Sequence, residues 1–185
     1  MEPAQIPWFP AWGIDFFQPV SDSKKIIETW LEIRPSERWV MISGVVPVSE
    51  RHLWAVWSHA VRNEALGKMV ARTIDAEFIR ILSGTHQIRV AFERAGVRNG
   101  DGYAWLLHLP IHPGFDEYGQ SKIYPNSDKK NERDASKAMT WLNGDLLTAR
   151  PSPNTDGPKR LGIDRDLSFD QIEQVILAHA ASADI

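Results

Sequence analysis

Histidine is the residue of this chain with the most chemistry open to it, and the spacing of its six copies decides how little of that chemistry is within reach. His52 and His59 stand seven residues apart, two turns of a helix, which is too far for one ion without further ligands. His108 and His112 are split by Pro110 and have no carboxylate placed to complete a ligand set. Asp164 and Asp166 form a carboxylate pair, but in a polar, loop-like stretch where the pKa of a general acid would be hard to tune. The chain lacks a G-x-x-x-x-G-K-[ST] phosphate loop, a G-x-G-x-x-G opening a helix and a G-x-S-x-G elbow. Its zero cysteines remove thiolate nucleophiles, thiolate metal sites and disulfides together. These residue types point to a binding protein with no cofactor, no metal and no small-molecule substrate of its own. Two other readings stay open: a small-molecule enzyme built on the histidines and the polar stretch 111–135, and an interaction module anchored by a Trp-rich leader.

Cations are arranged more tellingly. Lys68 and Arg72 fall one helical turn apart, and Arg80, His86, Arg89 and Arg94 follow, all off the apolar positions of residues 65–97. With a formal net charge of −3, the chain has no global field to gather nucleic acid, so any RNA contact must be local. The strip reads either as a solvated helix face or as a phosphate-contacting surface, where each cation adds salt-dependent affinity.

The elements that would hold this strip can be read from periodicity and caps. Residues 1–12 form a Pro- and Trp-rich leader, and residues 13–185 one domain, the usual outcome for 185 residues. Residues 13–17 suit an edge strand, and Ser21 or Asp22 caps a helix to Ile33 that Pro35 stops. Residues 39–46 and 103–109 read as strands. Ser49 caps a helix burying Leu53, Trp57, Ala60 and Val61. Leu66, Met69, Val70, Thr73 and Ile74 give a second helical stripe, and Asp75 then caps a short helix with Phe78, Ile79 and Leu82, ended by Gly84. A third helix buries Ile88, Ala91, Phe92 and Ala95, with Gly96–Val97 as a Schellman-type stop. Residues 111–135 read as a mobile polar excursion, 136–148 as a helix burying Met139, Leu142 and Leu146, and 151–162 as a loop. Ser168 caps a last helix with Ile172, Val175, Ile176 and Ala180 on one face. The expected fold is α+β, a small mixed or antiparallel sheet packed against several helices.

Apolar content of 43% and charged content of 24% are those of a globular chain, and no apolar run is long enough for a membrane span. Pro3, Pro7 and Pro10 interrupt the aromatics of the leader, so no export signal is expected. The absence of cysteine suits a reducing compartment, and a cytoplasmic location follows.

Within residues 63–97, Lys68, Ala71, Glu77, Gly84, Gln87, Ile88, Ala91, Gly96 and Val97 stand in an order that resembles the signature region of a family. It is the TPRKB-like, kinase-binding accessory subunit family of the KEOPS tRNA-modification complex. His86 takes the place of the family's arginine; a neutral imidazole is the poorer cation. His52-Leu53 and Leu161-Gly162-Ile163 extend the likeness, which runs best over residues 39–110. The resemblance implies a non-catalytic subunit whose partners are the small atypical kinase/ATPase of KEOPS and tRNA. It implies modulation of that kinase and recruitment of tRNA by its 3′ CCA end for threonylcarbamoylation of adenosine 37. The residues it assigns to RNA binding are Lys68, Arg72, His86, Gln87 and Arg89.

Overall fold

The apolar run Tyr103–His108 (β3) lies at the centre of the computed structural model, which describes residues 5–120, 122 and 128–185. Ala104, Trp105, Leu106 and Leu107 are all buried, because helices cover both faces of the sheet there. Ala11–Phe16 (β1) and Trp39–Ser43 (β2) flank β3, and Gly144–Leu147 (β4) pairs the far side of β1. The order is β2-β3-β1-β4 and every pairing is antiparallel, with Gly13 opposite Trp105 and Met41 opposite Leu106.

The period of two in each strand sorts its side chains between two cores. Ile14, Trp39, Met41 and Leu106 meet Ser23–Ile33 (α1) through Trp30, and Lys129–Trp141 (α5) through Ala135, Ala138 and Met139. Ala11, Ile42, Trp105 and Leu107 share the second core with four helices. Glu50–Ala65 (α2) supplies Leu53, Trp57 and Val61, Ile74–Leu82 (α3) supplies Phe78 and Ile81, and Phe169–Ala181 (α7) supplies Ile172 and Ile176. Ile88–Ala95 (α4) returns along α3, burying Ala91 and Ala95. The class is α+β, with the sheet held between two helical layers.

Caps fall where the side chains demand them. The Asp22 carboxylate accepts from the Lys25 amide, the Ser49 hydroxyl from the His52 amide, and Ser168 with Gln171 forms a capping box on α7. No helix among the described residues is long and apolar enough to cross a membrane.

Several expectations are corrected. The stripe from Leu66 to Ile74 is not a helix: Gly67 turns the chain at φ 63°, and the next helix begins only at Ile74, after Thr73. Asp75 is a buried first-turn residue paired with Arg34 at 2.5 Å rather than the cap. Gly96 is extended, at φ −70° and ψ 161°, so α4 does not end in a Schellman turn, and Phe92 on that helix is exposed. β2 stops at Ser43, three residues early.

The helix placed at 136–148 is α5, which starts at Lys129 and absorbs the end of the polar excursion; residues 121 and 123–127 of that stretch lie outside the described residues. Its buried face runs through Asn131, Ala135, Ala138 and Met139, mostly too small or polar to register as a stripe. Asn143 then reverses the chain at φ 55°, and Gly144 opens β4, leaving Leu146 exposed on the edge strand. A short helix, Asp156–Arg160 (α6), occupies part of 151–162, and its Arg160 is paired with Asp101 at 2.8 Å. At the other end of the chain, Phe9 is buried against Trp54 and the Trp54 indole donates to the Pro7 carbonyl, so these leader residues pack into the larger core.

Candidate functional site

The loop joining α2 to α3 carries Lys68 and Arg72, both exposed. Its shape comes from beneath. The Lys68 amide donates to the Asn63 carbonyl at 2.8 Å, and the Val70 and Ala71 amides donate to one carboxylate oxygen of Glu77 at 3.1 and 3.0 Å. Glu77 also accepts from the Asn63 side chain at 2.9 Å and from two nitrogens of Arg80 at 3.1 and 2.7 Å. Leu66 and Val70 stay about half exposed beside the two cations.

Arg80, counted from sequence with the outward cations, has no exposed surface, and neither has Glu77. Burial alone would raise the Glu77 carboxyl's pKa. The hydrogen bonds from Arg80, the Ala71 amide and Asn63 outweigh it and hold that group below the usual carboxylate range. Burial pulls on Arg80 in the opposite sense, and its bonds to Glu77 and Asp184 reverse that and raise it. The pair is therefore a fixed internal salt bridge, not a ligand-binding cation.

The other candidates sit beyond the far end of α3, whose nine residues span about 13 Å. His86 and Gln87 are exposed in the turn after Gly84, with Gln87 at the N-cap of α4; Arg89 is exposed in that helix's first turn. Arg89 reaches Glu93 at 3.1 Å, a solvated pair that contributes little to stability. Arg94 is half-buried and donates to the Ser83 carbonyl. The candidate residues thus form two outward groups, Lys68/Arg72 and His86/Gln87/Arg89, separated by α3.

Phe92, which the apolar pattern would bury, is 43% exposed one turn after Arg89. Only Ala91 and Ala95 of α4 are buried and Ile88 is half-buried, so the i, i+3, i+4, i+7 stripe overstated the inward face and gave no signal that Phe92 lies outside it.

A hollow of about 340 Å³ opens beside the indoles of Trp54 and Trp57 and is bordered by Arg38, His108, Pro110 and Asn131. Burial, reinforced by Arg38, pushes the His108 pKa down, and its Nδ1 lies 3.1 Å from the Asn131 amide nitrogen. Among the described residues, the lining of the hollow holds no serine or threonine. Elsewhere His59 is bonded to Asp184 at 2.6 Å and His52 is buried with Nδ1 accepting from the Val48 amide. No group of three histidine, aspartate or glutamate side chains converges on a metal position among the described residues.

A model of the family described as kinase binding protein CGI-121 matches residues 17–132. The chain belongs to this family. No curated protein matches it. The CGI-121 match begins just after β1 and runs through α1, β2, α2, α3, α4 and β3 to the start of α5. It contains the α2–α3 loop, the Glu77–Arg80 pair and the α4 N-terminus, and it places the chain among kinase-binding accessory proteins. β1, β4, α6 and α7 lie outside it.

Proposed function

We propose that this chain is a non-catalytic subunit that binds and modulates the small atypical kinase/ATPase of KEOPS and helps recruit tRNA through its 3′ CCA end. The modification served is threonylcarbamoylation of adenosine 37, with catalysis in partner subunits. The family match over residues 17–132 is the observation that carries this reading, because its span contains all five residues assigned to RNA. The geometry is compatible with it: Lys68, Arg72 and Arg89 are exposed cations, and Phe92 is an exposed ring beside Arg89. Single-stranded RNA ends are held by phosphate contacts combined with base stacking, the two kinds of group found here.

Binding of an intact tRNA transcript is expected to exceed that of one trimmed of CCA, and Lys68→Glu/Arg72→Glu is expected to weaken binding of the intact form and flatten its salt dependence by about two phosphate contacts. Equal affinity in all three measurements would remove the RNA half of the reading. Co-purification with the small kinase tests the other half separately, and the wild-type chain failing to retain it would count against that half.

A further inference from the structure

Asp184, in the 3₁₀ turn Ser182–Asp184 that follows α7, reaches back across the molecule to Arg80. One guanidinium nitrogen of Arg80 donates to both Glu77 and Asp184, each at 2.7 Å, and the other terminal nitrogen donates to the Ala183 carbonyl at 2.9 Å. Asn63 bridges the same two carboxylates, at 2.9 Å to Glu77 and 3.3 Å to Asp184, and His59 closes the group on Asp184. Glu77 in turn takes the amides of Val70 and Ala71. A continuous set of hydrogen bonds therefore runs from the C-terminal turn to the loop bearing Lys68 and Arg72.

We infer that the C-terminal turn holds the α2–α3 loop in its presented shape through the relay Asp184, Arg80, Glu77, with Glu77 the positioning residue for Lys68 and Arg72. The bearing of this relay on RNA rests on the phosphate-contact reading above. The asymmetry of burial gives the relay its direction. Arg80 has no exposed surface, whereas the Asp184 side chain is 37% exposed and can be withdrawn into water. Withdrawal takes the Ala183 carbonyl and the Asp184 carboxylate from Arg80 together, leaving buried N–H donors that must be satisfied. Glu77 is the carboxylate still in reach, and turning it further onto Arg80 takes its oxygen from the two loop amides. The loop then loses what fixes it between Gly67 and Ile74. Any partner that lifts or clamps the C-terminal turn consequently changes phosphate affinity at the loop, and by linkage phosphate binding changes the hold on the turn.

Amide exchange in the full chain tests this without RNA. Asp184→Ala, with Asp184→Asn as the isosteric variant, is expected to speed exchange of the Val70 and Ala71 amides about tenfold relative to Val56 and Ala60 inside α2. Binding of an unmodified tRNA transcript is expected to weaken about fivefold in Asp184→Ala, and no further when the substitution is made in a Lys68→Ala/Arg72→Ala background. Loop and helix amides changing by one common factor, or neither changing, would overturn the relay. Faster loop exchange with unaltered tRNA affinity would overturn its bearing on RNA. A wild-type chain that does not bind the transcript would instead sink the phosphate reading, leaving exchange to judge the relay.

Discussion

Arg80 spends its charge entirely inside the protein, between Glu77 one helical turn away and Asp184 in the C-terminal turn. A buried ion pair gives weak net stabilisation against an apolar replacement of the whole set, but losing one partner strands the others in a dry interior. Arg80→Met leaves Glu77 with the loop amides and Asn63 but without a counter-charge. Unfolding in urea is expected to show a loss of about 3–5 kcal/mol, and a loss below about 1 kcal/mol would mean that water already reaches the pair. Reading Arg80 as an outward cation failed for a physical reason. Its i, i+3 relation to Glu77 is visible in sequence, but that spacing is equally common on solvated helices, and the deciding acceptor lies 104 residues further on. Among the described residues, no such distant partner pulls Lys68, Arg72, His86, Gln87 or Arg89 inward, and their exposure could be anticipated.

Among the elements, those fixed by local chemistry were the legible ones. Ser49, Asp22 and Ser168 cap the helices that follow them, and Gly84 ends α3 at φ 59°. The Leu66–Ile74 stripe misled because its amides are satisfied by a buried carboxylate instead of a helical ladder, and β4 was hidden because Asn143 reverses the chain within an apparently helical pattern. Gly84 also shows how a local stop sets a long-range joint. A Cβ there would stand 2.5 Å from His179 Nε2 and 2.7 Å from its carbonyl, so α3 and α7 meet only because the side chain is absent. Gly84→Ala adds left-handed strain to that clash and is expected to cost at least about 2 kcal/mol in urea unfolding. Faster amide exchange should be concentrated in α7, and a variant as stable as the wild type would show that the joint can shift freely. Strand order lay beyond sequence reading altogether, since β1 finds β3 and β4 across most of the chain.

The whole molecule should respond to acid chiefly through its buried histidines. Burial, with a smaller push from His179, lowers the His52 pKa to about 3, and His108 and His179 are displaced the same way, each mainly by burial. In the unfolded chain these groups titrate near about 6.5, so below that pH the unfolded state holds more protons than the folded one. Stability is therefore fully present above about pH 6.5 and falls as pH drops, with His52 continuing to draw on it down to about 3. One such group contributes a slope of up to about 1.4 kcal/mol per pH unit through that window. Glu77 and Asp184 are shifted down as carboxylates by the bonds from Arg80, which outweigh their burial. Their stabilisation is likewise present above the ordinary carboxylate range and lost on further acidification, so it steepens the same decline. Urea unfolding at pH 7.5, 6.0 and 5.0 should show a monotonic loss. His52→Gln replaces the titrating ring by a neutral group that can still accept from the Val48 amide, and its slope between pH 6.0 and 5.0 is expected to be shallower by about one proton. A slope unchanged by that substitution would mean that His52 protonates without unfolding the protein, and the buried, uncharged state assigned to it would be wrong.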